Sequence, residues 1–308
     1  MTTENKIACV TGSTGMIGNL IMKQLLACGH EVRILTRRDY FAPGVEVHKA
    51  DLSNSPELES FIRGADMVFH CAAELKDESI MHTVNVQGTK NITKLIESHQ
   101  VGYFCHLSSA GVVGKTSEIW VDEDTPCNPQ NKYEASKLEA ELIARVPISG
   151  CKTVILRPTN VVDAHHPGVL NLPIGGSLWD IAKAFVKGGE CAHLVHAEDV
   201  ARAAIFFADR TLSRNPDTFF VSLDDDPMNT VASFWSIYTA FKSDCGPVTS
   251  NSYPHLPLIV PHVLRRIARG TGNHGDVKYS PKRLLSEGFQ FSLGVTDAVK
   301  KIFKELAP

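Results

Sequence analysis

Short apolar runs alternate with stretches of helical periodicity through the first half of the chain. Ile7 to Val10 is apolar throughout and leads into a glycine-rich turn, and Ile17 to Leu26 then repeats apolar residues at the spacing of one helix face. The first pattern fits a strand buried on both faces and the second an amphipathic helix. The same alternation predicts strands over Glu31 to Thr36, Val45 to His48, Asp66 to His70, Tyr103 to Leu107 and Thr153 to Leu156, with helices over about 81–98 and Tyr133 to Arg145. Helices of this length between strands imply right-handed crossovers and parallel pairing. The predicted fold is therefore α/β, a doubly wound parallel sheet with helices on both faces.

Beyond Arg157 the rhythm breaks. Residues 163–176 hold Gly168, Gly175, Gly176, two prolines and the pair His165-His166, which is a loop composition. Ala192 to Val195 and Phe219 to Ser222 read as strands, with a helix from about Glu198. From about 225 onward the chain is helix and proline-bearing loop, which cannot build a second large sheet. It predicts a small, mostly helical C-terminal lobe. The apolar stripe from Leu258 to Ile267 is expected to line that lobe rather than to anchor the chain in a membrane.

Composition narrows the function classes. The chain has 308 residues, more than one average domain, so two domains are expected. Its 31 Lys+Arg stand against 34 Asp+Glu, a formal net charge of −3, so neither nucleic acid nor a membrane is an expected partner. No apolar run approaches the ~18–20 residues of a membrane span. Met1 to Asn5 is polar, with no sign of a signal peptide. The eight cysteines form no C-x-x-C pair and read as buried free thiols of a reducing, cytoplasmic protein with no metal site. His70 and His106, inside apolar strands, read as satisfied core histidines.

Chemistry enters at Thr11-Gly12-Ser13-Thr14-Gly15-Met16-Ile17-Gly18, between the first strand and the first helix. Gly12 permits a tight turn, Gly15 lets the backbone approach a pyrophosphate, and Gly18 lets helix pack on strand. The helix N-terminus offers its N–H groups and positive dipole end to phosphate. Residues 1–160, rejoined by 192–222, are accordingly read as a dinucleotide-binding domain of Rossmann type. Residues 161–191 and 223–308 are read as the substrate-binding lobe. At the end of the second strand Thr36 stands where an NAD site usually carries an acid, and Arg37-Arg38 follow. Guanidinium groups suit a 2′-phosphate, so NADP is the preferred cofactor, while Asp39 keeps NAD possible.

Tyr133 and Lys137 lie at i and i+4 on one helix. A phenol titrating near pH 10 is a poor base at neutrality, and a nearby ammonium favours its ionised form. Such a pair can exchange a proton with a substrate hydroxyl or carbonyl. Ser108-Ser109 ends the fifth strand, at the carboxyl edge where ligands of doubly wound sheets bind, and a hydroxyl there can hold the reacting oxygen. His165 and His166, in the loop after the sixth strand, are further substrate candidates.

With these residues in view, the chain resembles an extended short-chain dehydrogenase/reductase of the NAD(P)-dependent epimerase/dehydratase family, over nearly its whole length. Asn85-Val86-Gln87-Gly88-Thr89 is similar to the family's Asn-x-x-Gly-Thr helix, and His196-Ala197-Glu198-Asp199-Val200 to a late structural signature. The resemblance implies adenine contacts from Asp51 and Leu52, cofactor contacts from Ala72 and Ala73, and a nicotinamide contact from Pro158. It implies that Ser109, Tyr133 and Lys137 are the catalytic set, with Asn160 near substrate and a homodimer built on the helices around 85–98 and 133–145. Dehydration is not implied, because Ala110-Gly111 replace the Asp-Glu pair of the dehydratases. The two diphosphate-gripping arginines of the sugar-nucleotide epimerases are also missing, from Cys191-Ala192-His193-Leu194 and Gly272-Asn273-His274-Gly275-Asp276. The tail from Tyr279 to Phe289 resembles the dihydroflavonol-reductase and hydroxysteroid-dehydrogenase branches. The expected function is an oxidoreductase acting on a small-molecule ketone or secondary alcohol. The alternatives are a sugar-nucleotide epimerase and a non-catalytic NADP-binding sensor or scaffold.

Overall fold

The computed structural model describes residues 5–53, 55–165, 177–242, 253–269, 273 and 275–306. Its central sheet contains β1 (Ile7–Thr11), β2 (Glu31–Thr36), β3 (Val45–Lys49), β4 (Met67–His70), β5 (Tyr103–Leu107), β7 (Lys152–Pro158) and β10 (Asp217–Val221), after β6 (Trp120–Val121), β8 (Asn160–Val162) and β9 (Leu194–His196) are set aside. The strand order is β10-β7-β5-β4-β1-β2-β3. The pairs β1–β2, β1–β4, β2–β3, β4–β5 and β5–β7 are all parallel. The order reverses between β1 and β4, which is where ligands of such sheets bind. This is the doubly wound sheet that the alternation of strand and helix predicts.

The helices are α1 (Met16–Ala27), α2 (Pro56–Ile62), α3 (Gly88–Ser98), α4 (Lys132–Ala144), α5 (Leu178–Lys187), α6 (Ala197–Phe206), α7 (Val231–Lys242), α8 (Ile259–Arg269), α9 (Lys282–Ser286) and α10 (Val295–Leu306). One π-helical stretch, His82–Gln87, precedes α3. Leu58, Phe61, Ile92, Ile96, Phe104, Ala144 and Ile155 fill one side of the sheet beneath α2, α3 and α4. Each leucine, isoleucine or phenylalanine among them contributes roughly 1.5–3 kcal/mol on burial.

The chain divides into two compact units. The first comprises Met1–Gly114, Cys127–Arg157 and Val200–Phe219, and the second Lys115–Pro126, Pro158–Asp199 and Phe220–Pro308. The second has its own core, in which Phe234, Trp235, Tyr238, Val299 and Phe303 pack together. Among its described residues it carries two two-stranded sheets, β8 with β9 and β6 with β11 (Lys278–Tyr279).

The strand expected over Ala192 to Val195 lies instead at Leu194–His196, where it pairs with β8. The expected loop 163–176 falls largely outside the described residues, His166 included. α8 departs from expectation in orientation. Ile259, Val263, Leu264 and Ile267 are exposed, so its apolar stripe does not line the lobe. The reason is that Arg265 and Pro261 occupy the inward side, Arg265 in an ion pair with Glu190.

Candidate active site

The glycine loop closes tightly between β1 and α1. Gly12 has φ +68, and a Cβ there would meet the Ala72 nitrogen at 2.6 Å, so both the backbone conformation and the neighbouring strand end require glycine. A side chain at Gly18 would collide with the Gly12 carbonyl. Gly15 is the N-cap of α1 and supplies no side-chain cap, while Thr14 and Gly15 are exposed. The Ser13 hydroxyl is buried without a hydrogen-bond partner. An uncapped helix N-terminus, a close-packed glycine turn and an orphaned buried hydroxyl fit a pyrophosphate, so these residues suit a dinucleotide.

At the far end of β2, Thr36 accepts from the Arg38 N–H at 3.2 Å and is buried. Arg37 and Arg38 are exposed, and Asp39 is engaged by Lys49 at 2.6 Å. Arg37 acts on Asp51, whose carboxyl sits below its usual range because Ser53 donates to it, with Arg37 adding to the effect. Leu52 is buried, its carbonyl accepting from Asn91 at 2.8 Å. Ala72 and Ala73 are half-buried beyond β4, with the Ala72 N–H donating to Thr11.

Ser109 follows β5 in extended backbone, and its hydroxyl accepts from the Gly111 N–H at 3.1 Å. A side chain at Gly111 would press on Ser109 Oγ at 3.2 Å and Glu134 Cγ at 3.3 Å. Tyr133 sits in the first turn of α4, which Asn131 caps by accepting from the Glu134 N–H at 2.9 Å. Burial pushes the Tyr133 phenol up to about 12, against a hydrogen bond with the Ser109 hydroxyl, and the Glu134 carboxylate adds to the rise. One turn on, Lys137 is buried and donates to the Leu107 carbonyl at 2.6 Å. Burial lowers its ammonium to about 8, opposed by Glu141 and Cys71. The three expected catalytic residues thus converge where β5 ends and α4 begins.

A chain of hydrogen bonds, not visible in the sequence, ties this point to the glycine loop. Thr11 meets His70 Nδ1 at 2.8 Å, and His70 Nε2 meets Thr89 at 3.0 Å. Thr89 donates to the Asn85 carbonyl at 2.6 Å. The Asn85 amide donates to Ser136 at 2.9 Å, and Ser136 donates to the Tyr133 carbonyl at 2.8 Å. Since Thr89 gives its proton to Asn85, His70 donates from Nε2 and accepts at Nδ1. Burial keeps its imidazole neutral, with its pKa lowered to about 3. His70 is the satisfied core histidine expected, but His106 is not. Both His106 ring nitrogens are buried without a hydrogen-bond partner, and its ring lies 5.5 Å from that of His70, its register partner on β4.

Ser108 goes elsewhere. Its hydroxyl donates to Glu141 at 2.6 Å. Glu141 is fully buried and also receives Arg157 at 2.7 Å and Arg145 at 2.7 Å. Burial opposes that carboxylate, yet the bonds from Arg157 and Ser108 hold it below its usual range. This buried cluster braces α4 against β5 and β7.

The remaining candidates belong to the second unit. Pro158 is buried at the end of β7. Asn160 is buried, with its N–H donating to the His193 carbonyl at 2.8 Å. His165 is exposed. His193, at φ 54, pairs with Asp224 through Nδ1 at 2.6 Å, and Asp224 also accepts from the Tyr279 N–H at 2.9 Å. Burial works against the imidazolium, but Asp224 and the Cys191 thiol raise it to about 10. Ligand atoms of Cys191, His193 and Asp224 lie within 4.8 Å of one another. Cys191 and His193 are neighbours in the sequence, but their partner Asp224 lies 31 residues beyond His193, where no local pattern joins it to them, and the imidazolium–carboxylate pair accounts for the group without an ion.

Comparison with known proteins supports the same ground. The yeast Saccharomyces cerevisiae sterol-4-alpha-carboxylate 3-dehydrogenase, decarboxylating, is 26% identical over 270 residues, covering 76% of this chain and 74% of that protein. The Escherichia coli O157:H7 N-acetyl-alpha-D-glucosaminyl-diphospho-ditrans,octacis-undecaprenol 4-epimerase is 28% identical over 177 residues, covering 54% of this chain and 53% of that protein. The chain thus spans about half the length of several curated relatives it matches. The fold is similar to that of the Bordetella bronchiseptica enzyme WbmH in complex with NAD+, with a TM-score of 0.71, 20% identity, and 99% of this chain and 100% of that chain covered. The model of the NAD dependent epimerase/dehydratase family matches residues 8–221, well over half of the chain, which therefore belongs to that family.

Proposed function

We propose that the protein is an NADP-preferring oxidoreductase that reduces a small-molecule ketone, or oxidises the corresponding secondary alcohol. The observation that carries this reading is the meeting of Ser109, Tyr133 and Lys137 where β5 gives way to the 109–113 turn and α4 begins. When bound, the nicotinamide supplies or accepts the hydride. Tyr133 holds its proton at neutral pH and would release it to the carbonyl oxygen as the carbon is reduced. Ser109 would orient that oxygen. Lys137, largely an ammonium at neutral pH, would stabilise the phenolate left behind and hold the nicotinamide ribose. Gly12, Thr14, Gly15, Met16, Ile17 and Gly18 would cradle the pyrophosphate, Arg37 and Arg38 the 2′-phosphate, and Asp51, Leu52, Ala72, Ala73 and Pro158 the rest of the cofactor.

The second unit would supply the substrate lobe, with Asn160 and His165 as candidate contacts. Leu142 and Val146, exposed on and just after α4, suit the homodimer expected there. The enzyme is read as cytoplasmic, and among the described residues no helix is long and apolar enough to cross a membrane.

Epimerisation is the second reading, favoured by the similarity to the E. coli 4-epimerase. In it the same residues would make a transient ketone and re-reduce its other face. Incubation of the enzyme with NADPH and a panel of ketones, and separately with oxidised cofactor and a panel of sugar nucleotides, separates the two. Oxidation of NADPH in step with alcohol formation supports the reductase. Product without net cofactor turnover would transfer the reading to an epimerase. Cofactor binding without turnover on ketones or sugar nucleotides would leave a sensor or scaffold.

A further inference from the structure

An amphipathic helix of a globular protein normally turns its apolar stripe to the core and its charges to water. α8 does the reverse. Arg265 points inward, ion-paired with the buried Glu190 and donating to the Asn273 carbonyl at 3.3 Å. Ile259, Val263, Leu264 and Ile267 face solvent, Ile267 at 78% exposure. α5, its neighbour in the same unit, behaves alike. Ala184 is its buried contact, while Leu178 is 83% and Trp179 81% exposed, with Ile181 and Phe185 also outward. The Leu256 N–H donates to the Phe185 carbonyl at 2.8 Å and joins the two helices' segments. Leaving so many large apolar groups in water on adjoining helices forfeits the burial that normally stabilises a helix.

The exposed charged side chains described on these two helices are all cationic. Lys183, Lys187 and Arg266 are exposed, and α8 carries no acid. The acid of α5, Asp180, is folded back into its own helix cap, accepting from the Ser177 hydroxyl at 2.9 Å. This surface is therefore basic on a chain whose net charge is −3. Apolar side chains including a tryptophan, rimmed by lysine and arginine on helices too short to span a bilayer, match the chemistry of an interfacial helix. We propose that α5 and α8 form a membrane-surface face that seats on bilayers with anionic headgroups. Leu178, Trp179 and Ile267 would enter the headgroup–acyl boundary, and Lys183, Lys187 and Arg266 would meet the anionic lipid. The inference is independent of the reaction proposed above. It revises the expectation of no membrane partner, which rested on the charge of the whole chain and on an apolar α8 stripe turned to the lobe, whereas that stripe faces solvent.

Co-sedimentation with vesicles of phosphatidylcholine, with and without phosphatidylglycerol, tests this on the full chain. The wild type should pellet with the anionic vesicles, with partitioning that falls as salt rises. Replacing Lys183, Lys187 or Arg266 by Gln should weaken it roughly fivefold each. The double variant Trp179→Asp, Ile267→Asp should stay in the supernatant with an unchanged circular dichroism spectrum, since both sites are already in water. Three results overturn the proposal: a wild type that ignores both vesicles, a double variant that still pellets, or equal binding to neutral vesicles at all salt concentrations. A wild-type dimer that the double variant splits, with no vesicle binding by either, would also overturn it and assign the face to a second copy of the chain.

Discussion

In the proposed reaction the chemistry turns on Tyr133, and its surroundings favour one direction. With its phenol held near 12 by burial, it begins as an acid. Tyr133→Phe should cut turnover by roughly 10²–10⁴-fold, the usual worth of a positioned proton donor, while NADPH binding stays close to wild type. Steady-state kinetics beside a fluorescence titration check both halves, and wild-type turnover in the variant would remove Tyr133 from the mechanism. In the proposed cofactor preference the residue that bears on the choice is Arg37. Thr36, bonded to the Arg38 backbone, carries no carboxylate for a ribose diol, and Asp39 is paired with Lys49 at the surface. Arg37 is exposed, so its contact to a 2′-phosphate belongs at the low end of the roughly 1.5–3 kcal/mol of a charge-assisted bond. Arg37→Ala should therefore weaken NADPH about tenfold and leave NADH nearly unchanged. Wild-type affinity for NADH equal to that for NADPH would show that the arginines are surface charge.

At the scale of elements, α4 is held by two buried polar assemblies, one through Glu141 and one through Asn85. The second reaches the glycine loop through Thr89, His70 and Thr11. Asn85 lies in the π-helical stretch before α3, a backbone form often found at functional sites. Asn85→Ala removes the bonds to Ser136 and to the Glu74 backbone, and should let the first turn of α4 drift. Turnover should fall by roughly 10–10²-fold from misplacement alone, with the cofactor dissociation constant little changed. Loss of cofactor binding to the same degree would make the role one of general folding. The sequence carried much of this element level. Glycine loop, strands and the Tyr133–Lys137 helix all have local signatures of period, turn chemistry or spacing. α2 was passed over although Ser55 and Pro56 announce its start, because Pro56–Ile62 is too short for a periodic stripe. β6, β8 and β11 are two or three residues long and have no pattern to read. The Asn85 relay joins residues from five elements, which no local pattern encodes. The outward face of α8 was misjudged because periodicity finds a stripe without saying which way it points.

On the scale of the whole molecule, buried titratable groups give the stability an expected shape against pH. His70, lowered to about 3, and His106, also lowered by burial, are neutral in the fold but take protons when unfolded below 6.5. The unfolded chain then binds more protons, so stability rises with pH up to about 6.5. His193 has the opposite sign. Its pKa rises from 6.5 to about 10 in the fold, so its contribution is complete below 6.5 and is lost progressively as pH rises toward 10. Lys137, lowered from 10.5 to about 8, is charged at a cost below 8 and recovers stability only above that pH. Between 6.5 and 8, therefore, His193 acts with little opposition, and stability should fall by up to about 1.4 kcal/mol per pH unit. Above 9 the buried thiols of Cys9 and Cys71, pushed up to about 12, add a fall of their own. Maximum stability is expected near pH 6.5. His193→Gln should flatten the curve between 6.5 and 8 and leave the acid limb untouched, because His70 and His106 remain. Urea unfolding at a series of pH values measures this directly. An unchanged slope in the variant would mean that the His193–Asp224 pair does not hold its proton in the fold.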